Sequence, residues 1–320
     1  MKATEKRRYL KMAMAGFPAV AIMFGLLSGS VLAVEVSQED YNQLQALKKK
    51  EAKKQLPPHE RPAPAHPAHP PPSPSGNLAQ AATNPIANLV QFQLQNAYNW
   101  DNHNSSGYGN NFIIQPVVPI KLRSKAVPLL ITRTTIPYVS TPDLGPGANR
   151  KHGFGDTTLL GLFTPRLKTK GVQLGLGYTA VVPTAGDNDF TGAGKWSAGP
   201  SFLYINMQTP HVQWGLFAFQ TWSFADDQQN REDVSALSLQ PFITLHLKEG
   251  WYIGTPDSPQ TYNFKNDKWT WALGGQVGKV TKIGKLPVKL FVEILNNPEN
   301  DAGPTYNWQA KFNMTLLFPK

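Results

Sequence analysis

Five ionisable residues, Arg133, His246, Lys289, Glu293 and Lys311, sit in stretches whose neighbours are apolar. Gln91, Gln93, Gln95, Gln240 and Asn313 occupy like positions. Polar groups spaced in this way can bind or pass a polar solute, or they can pair with one another and stiffen a fold. Hydrolytic chemistry is harder to assemble. His103, His152, His211 and His246 are candidate bases, and Asp187, Asp189, Asp226 and Asp227 are candidate orienting acids. No Gly-x-Ser-x-Gly elbow accompanies them, and no complete constellation of nucleophile, base and orienter is visible. The expectation is therefore not an enzyme. Asp187 and Asp189 lack the remaining ligands of a calcium loop. The chain has no Cys, which excludes thiolate catalysis, disulfides and Cys-ligated metal. No cofactor and no metal is expected.

The elements that would carry these residues have period two. Val90, Phe92, Leu94 and Tyr98 alternate with Gln91, Gln93, Gln95 and Asn99. At the other end Trp308, Ala310, Phe312, Met314, Leu316 and Phe318 alternate with Gln309, Lys311, Asn313 and Thr315. Ten further segments lie between, at about 110–122, 127–139, 156–164, 172–182, 195–207, 212–224, 235–247, 251–262, 269–280 and 287–295. Twelve strands are thus expected. Gly254-Thr255-Pro256-Asp257-Ser258-Pro259 interrupts the ninth and leaves ten open. Pro116, Pro119, Pro137, Pro200 and Pro241 each remove a ladder donor from a strand.

The connections alternate between long polar loops and brief turns, the plan of an antiparallel transmembrane β-barrel. The turns carry Arg123, Lys125, Arg166, Lys168, Lys170, Lys248, Lys282 and Lys285. The loops carry Asp143, Glu232, Asp233, Glu299 and Asp301 besides the aspartates named above. Trp100, Trp196, Trp222, Trp251, Trp269 and Trp308 lie near strand ends, as interfacial girdles require. A charge facing mid-bilayer lipid costs ~2–4 kcal/mol. This puts Gln91, Gln93, Gln95, Arg133, Gln240, His246, Lys289, Glu293, Lys311 and Asn313 inside as pore-lining residues. Val90, Phe92, Leu94, Leu290, Val292, Phe312, Met314 and Leu316 then face lipid.

Residues 1–33 pair a basic start with an apolar run ending Val31-Leu32-Ala33, the pattern of a cleaved secretory signal peptide. Residues 34–56 read as a short helix whose heptad spacing fails after about two turns. It is either a solvated helix or a small coiled coil that could build a homotrimer. Residues 57–76 hold nine prolines with His59, His66 and His69, an extended linker. Residues 77–88 read as a short helix interrupted by Pro85, placed to plug a barrel formed by 89–320. The net charge of +10 includes +4 from residues 1–33, so basicity does not argue for nucleic acid.

Several motifs carry a resemblance. Asn84-Pro85-Ile86-Ala87-Asn88-Leu89, Gln115-Pro116-Val117-Val118-Pro119, Gly155-Asp156-Thr157, Gly192-Ala193-Gly194-Lys195-Trp196, Trp222-Ser223-Phe224-Ala225, Leu239-Gln240-Pro241-Phe242 and Thr315-Leu316-Leu317-Phe318-Pro319-Lys320 resemble the outer-membrane barrel family labelled "MetA-pathway of phenol degradation"-like. Its members are often called transporters, and some are labelled neuromedin U. The resemblance covers about 84–320 and implies a barrel in the outer membrane. The related functional-amyloid secretion channels are similar in order: coiled coil, linker, plug and twelve-stranded barrel. Phe318 here precedes Pro319-Lys320, whereas many barrels end on the aromatic that the insertion machinery reads. The expected function is an outer-membrane channel or transporter passing small solutes, hydrophobic or aromatic ones among them, through a polar lumen. The alternatives are a secretion pore for a disordered polypeptide and a non-conducting surface or structural barrel. Outer-membrane lipid, the insertion machinery and a small-molecule solute are the expected partners, with the N-terminal arm in the periplasm.

Overall fold

The computed structural model describes residues 74–143, 150–185, 190–226, 232–299 and 305–319. The signal peptide, the 34–56 helix and all of the Pro-rich linker before residue 74 lie outside these residues. So do Asp187, Asp189, Asp227 and Asp301.

Twelve antiparallel strands form one closed barrel. They are β1 (Val90–Asn102), β2 (Gly109–Lys121), β3 (Leu129–Ser140), β4 (His152–Phe154 and Thr157–Thr164), β5 (Val172–Val182) and β6 (Lys195–Asn206). The second half comprises β7 (Val212–Asp226), β8 (Ser235–His246), β9 (Trp251–Gly254 and Gln260–Asn263), β10 (Lys268–Thr270 and Leu273–Ile283), β11 (Leu286–Asn296) and β12 (Tyr306–Phe318). Each strand pairs with its sequence neighbours, and β12 pairs with β1 from Val90↔Phe318 to Asn102↔Tyr306. Closure satisfies the edges that lipid cannot hydrogen-bond. Among the described residues no helix is long and apolar enough to cross a membrane.

The break at 255–259 does not reduce the strand count. Trp251–Gly254 pairs with both β8 and β10, and Gln260–Asn263 resumes pairing with β8. The intervening Pro256–Pro259 stretch leaves the wall, because two prolines cannot donate to a ladder. Of the other strand prolines, Pro119, Pro137 and Pro241 stay in register, and Pro116 and Pro200 fall at skips. Register between β2 and β3 skips Gln115-Pro116, and between β6 and β7 it skips Gly199-Pro200.

Connection lengths alternate as the sequence suggests, except that β9 and β10 meet through a short 264–267 turn at the loop end. At the other end Gly284-Lys285 makes a two-residue hairpin, with Gly284 at φ 61°, a conformation suited to Gly.

The outer face is greasy. Val118, Ile120, Phe163, Leu176, Phe202, Ile243, Ile253, Val292 and Phe312 are large, apolar and exposed. On a water-soluble surface such a belt would be a liability; against hydrocarbon it is the required surface. Trp100 stacks on Trp308 at the loop end (6.2 Å between centroids). Trp251 lies at the turn end, with Lys279 Nζ 4.8 Å from its ring. Trp269 is instead half-buried and stacks on Trp271 (4.8 Å).

Among the described residues, one helix precedes the barrel, α1 (Pro74–Thr83). It begins inside the Pro-rich segment, with Pro tolerated in a first turn, and stops before Pro85 because the residue preceding proline is disfavoured in helical backbone. The helix expected over 77–88 is therefore shorter at its C-terminal end.

Candidate functional site: the barrel interior

The interior is part polar and part apolar. On β1 the even spacing of Gln91, Gln93 and Gln95 aligns three carboxamides on the inner face, all buried. They form a directed ladder: Gln95 Nε2 donates to Gln93 Oε1 (3.2 Å), and Gln93 Nε2 to Gln91 Oε1 (3.1 Å). Gln115 on β2 donates to the same Gln93 oxygen (3.2 Å) and accepts from Thr135 Oγ1 (3.0 Å). Register carries the face onward. Gln95 opposes Asn313, Ala97 opposes Lys311, and Lys311 opposes Glu293. Asn313 is buried and accepts from Thr315 Oγ1 at 2.7 Å.

Beside such polar groups, β2, β3, β4, β6 and β7 also contribute apolar ones. Val117, Ile131, Leu160, Leu162, Leu203, Ile205 and Phe217 form a buried apolar cluster on the inner face. The expected polar lumen is corrected here to one that is polar only in part. The reason is Ile86, which enters the barrel from the N-terminal segment and packs into this cluster. A barrel this small is filled by side chains, and an inserted apolar group needs an apolar seat. Ala79 and Ala82 of α1, with Leu89, pack on Tyr252, Val280, Phe291 and Leu317.

Polar contacts fix the same segment. The Gln213 amide donates to Thr83 O (3.0 Å), and Asn84 Nδ2 donates to Gln173 Oε1 (2.9 Å). Asn84 Oδ1 accepts from the Ile86 N–H (3.0 Å), closing a turn before the chain enters β1. His246 is half-buried beside this turn, with Nε2 3.4 Å from Thr83 Oγ1.

The charged residues meet around the 255–259 loop. Lys311 Nζ lies 2.7 Å from Glu293 Oε1. Lys311 also donates to Asp257 O (2.7 Å) and Ser258 Oγ (2.8 Å). Glu293 accepts from the Asp257 N–H (2.7 Å) and from Ser258 Oγ (2.9 Å). Gln240 Nε2 donates to Asp257 Oδ1 (2.9 Å), and Gln276 Nε2 to Thr255 O (2.7 Å). The loop is thus folded into the barrel and held by inward side chains of four strands. Between it and residues 82–85 lies a cavity of about 90 Å³. Arg133, Lys289, Asp257, Gln91, Gln93 and Gln240 line it together with Phe217, Phe291 and Tyr252.

All ten inward residues named from the sequence lie on this inner face, but not in one place. Gln91, Gln93, Gln240, Arg133 and Lys289 border the cavity. Glu293 and Lys311 bind the loop, Gln95 and Asn313 continue the polar wall, and His246 faces Thr83. Asp257, Ser258, Gln213, Gln115 and Tyr252 were not singled out by sequence reasoning. The period-two rule that found Gln91 also marks Gln115 and Gln213. The histidines do not gather: His103 contacts the Asn297 carbonyl at the loop end, whereas His211 bonds through its backbone to His246 at the turn end. Among the described residues no group of three His, Asp or Glu could hold a metal ion.

The fold is that of the outer-membrane β-barrels. The chain is similar to the COG4313 outer membrane channel from Pseudomonas putida F1, with a TM-score of 0.52 at 15% identity, over 72% of this chain and 94% of that one. Lower likenesses include outer membrane phospholipase A from Escherichia coli (TM-score 0.41, 12% identity, 77% and 97% covered). A Pseudomonas aeruginosa FadL homologue gives 0.35 at 10% identity, with 74% and 93% covered. No protein-family model and no curated protein matches the chain.

Proposed function

We propose that this barrel is an outer-membrane channel for small solutes, and that residues 74–89 plug its periplasmic mouth. The observation that carries the reading is the cavity inside the barrel, bounded by the N-terminal segment on one side and the inward loop on the other. A barrel serving only as a scaffold has no need to hold buried cations beside open space. A polar wall lowers the dehydration cost of a solute's polar end, and charges along it set selectivity. The apolar part accommodates an apolar or aromatic body, so solutes with both characters fit the interior. The basic turns at the end where α1 enters, and the acidic loops at the other, support a periplasmic N-terminal arm.

Proteoliposomes test this directly. Swelling or dye efflux in small organic solutes should be faster with folded protein than with empty vesicles, and faster again when residues 34–83 are removed. Rates equal to empty vesicles for both forms would favour a non-conducting barrel. Passage of an unfolded polypeptide but of no small solute would favour a secretion pore.

A further inference from the structure

Two cationic side chains and one carboxylate border the cavity. Arg133 reaches it from β3 and Lys289 from β11. Asp257 is the carboxylate on its border, and its Oδ1 is already bonded to Gln240. The neighbouring Glu293 is taken up by Lys311 and the loop. Arg133, Lys289 and Lys311 against Asp257 and Glu293 leave one positive charge in excess. Among the described residues no carboxylate lies within ion-pair distance of Arg133 or Lys289. Arg133 Nε is sealed from solvent without a hydrogen-bond partner, and so is the hydroxyl of Tyr252, a residue only 1% exposed. Both residues line the same cavity as Lys289, and unpaired donors fit a group that only accepts, such as a carboxylate. Arg133 lies 5.4 Å from the Phe217 ring and Lys289 5.5 Å from that of Phe291, so apolar surface adjoins both cations.

We propose that Arg133, Lys289 and the Tyr252 hydroxyl form a binding site for the carboxylate of a small organic monoanion. Its apolar body rests against Phe217 and Phe291. The two cations supply charge-assisted hydrogen bonds, and the hydroxyl fixes the orientation. The site gives the proposed channel a preference for anionic over neutral solutes of the same shape. That preference rests on the channel reading; the binding does not.

Benzoate is the probe, with benzyl alcohol as its neutral counterpart and inorganic phosphate as a bare anion. Calorimetry on the full chain folded in detergent should show benzoate binding at least about tenfold more tightly than benzyl alcohol, the size of one charge-assisted hydrogen bond. Lys289→Gln and Arg133→Gln should each remove that margin, whereas Lys289→Arg should keep most of it. Tyr252→Phe should weaken benzoate and leave benzyl alcohol unchanged. A heat-shifted band in an SDS gel verifies that each variant is folded; should either Gln variant fail to fold, Tyr252→Phe alone decides. Equal affinity for benzoate and benzyl alcohol, tighter binding of phosphate than benzoate, or unchanged benzoate binding in Tyr252→Phe would overturn the site. Planar bilayers separate the two readings. Conductance without benzoate binding overturns the site and spares the channel. Benzoate binding without conductance overturns the channel and leaves a luminal anion site.

Discussion

Glu293→Gln is the perturbation whose consequence follows most directly from the interior geometry. The Glu293–Lys311 pair spans 2.7 Å, with side chains 0% and 6% exposed. Breaking a buried pair by removing one partner costs about 3–5 kcal/mol, because a charge is left behind. Lys311 would keep two neutral acceptors, Asp257 O and Ser258 Oγ. That places the expected loss at the low end, about 3 kcal/mol. The glutamine also presents an NH₂ where Glu293 now accepts from the Asp257 N–H and Ser258, so one loop donor goes unpaired. Lys311→Met should cost a similar amount for the mirror reason. The double variant removes both charges, and its loss should be about 1 kcal/mol, well below the sum of the singles. Urea unfolding of vesicle-inserted protein, read by tryptophan fluorescence, measures all four forms. A loss under about 0.5 kcal/mol in Glu293→Gln, or a double variant as unstable as the singles combined, would refute the reasoning.

Further outcomes follow from other parts of the molecule. Gln213→Ala removes the amide that holds the Thr83 carbonyl, so hydrogen exchange in 78–89 should speed up by roughly tenfold, as about 1–2 kcal/mol of local closure is lost. Unchanged exchange there would mean that the apolar seat of Ile86 alone fixes the segment. Phe312, midway along β12 and 49% exposed, should not tolerate charge: Phe312→Arg is expected to lower unfolding free energy by ~2–4 kcal/mol and Phe312→Leu by far less. Equal effects of the two would place Phe312 away from lipid. At the loop end, the hydrogen bond from Lys265 and the charges of Lys265 and Lys195 hold Asp233 below its ordinary value. A depressed carboxylate contributes above its unfolded value and loses that contribution as pH falls through the folded one. The 232–234 segment should therefore stay protected down to about pH 4 and loosen below the ordinary value of 3.8, and Asp233→Asn should abolish this acid step. Hydrogen exchange at Ser223 and Val234 reads it; an identical acid profile in the variant would exclude Asp233 as its source.

Much of the barrel was legible in the sequence because lipid outside and side chains inside impose opposite demands on neighbouring residues. Where the inner face is polar, as in Val90–Gln95 or Lys311–Leu316, alternation fixes both the strand and its orientation. It fails where both faces are apolar. In Leu159-Leu160-Gly161-Leu162-Phe163 nothing distinguishes the inward Leu160 and Leu162 from their outward neighbours, so the apolar wall was invisible. The loop at Pro256–Pro259 was legible only as a broken strand. That the break turns inward depends on Glu293, Lys311 and Gln240, which are distant in sequence and meet it only through closure. The end of α1 was readable from Pro85, but its seat depends on the same hidden wall.

The central claim is that this barrel conducts and that its N-terminal segment obstructs it. Single-channel recording in a planar bilayer, comparing the chain without residues 1–33 with one also lacking residues 34–83, tests both parts at once. The account predicts discrete openings in the longer form and larger ones in the shorter. Silence from both, with heat-shifted gel bands proving that they are folded and inserted, would contradict it.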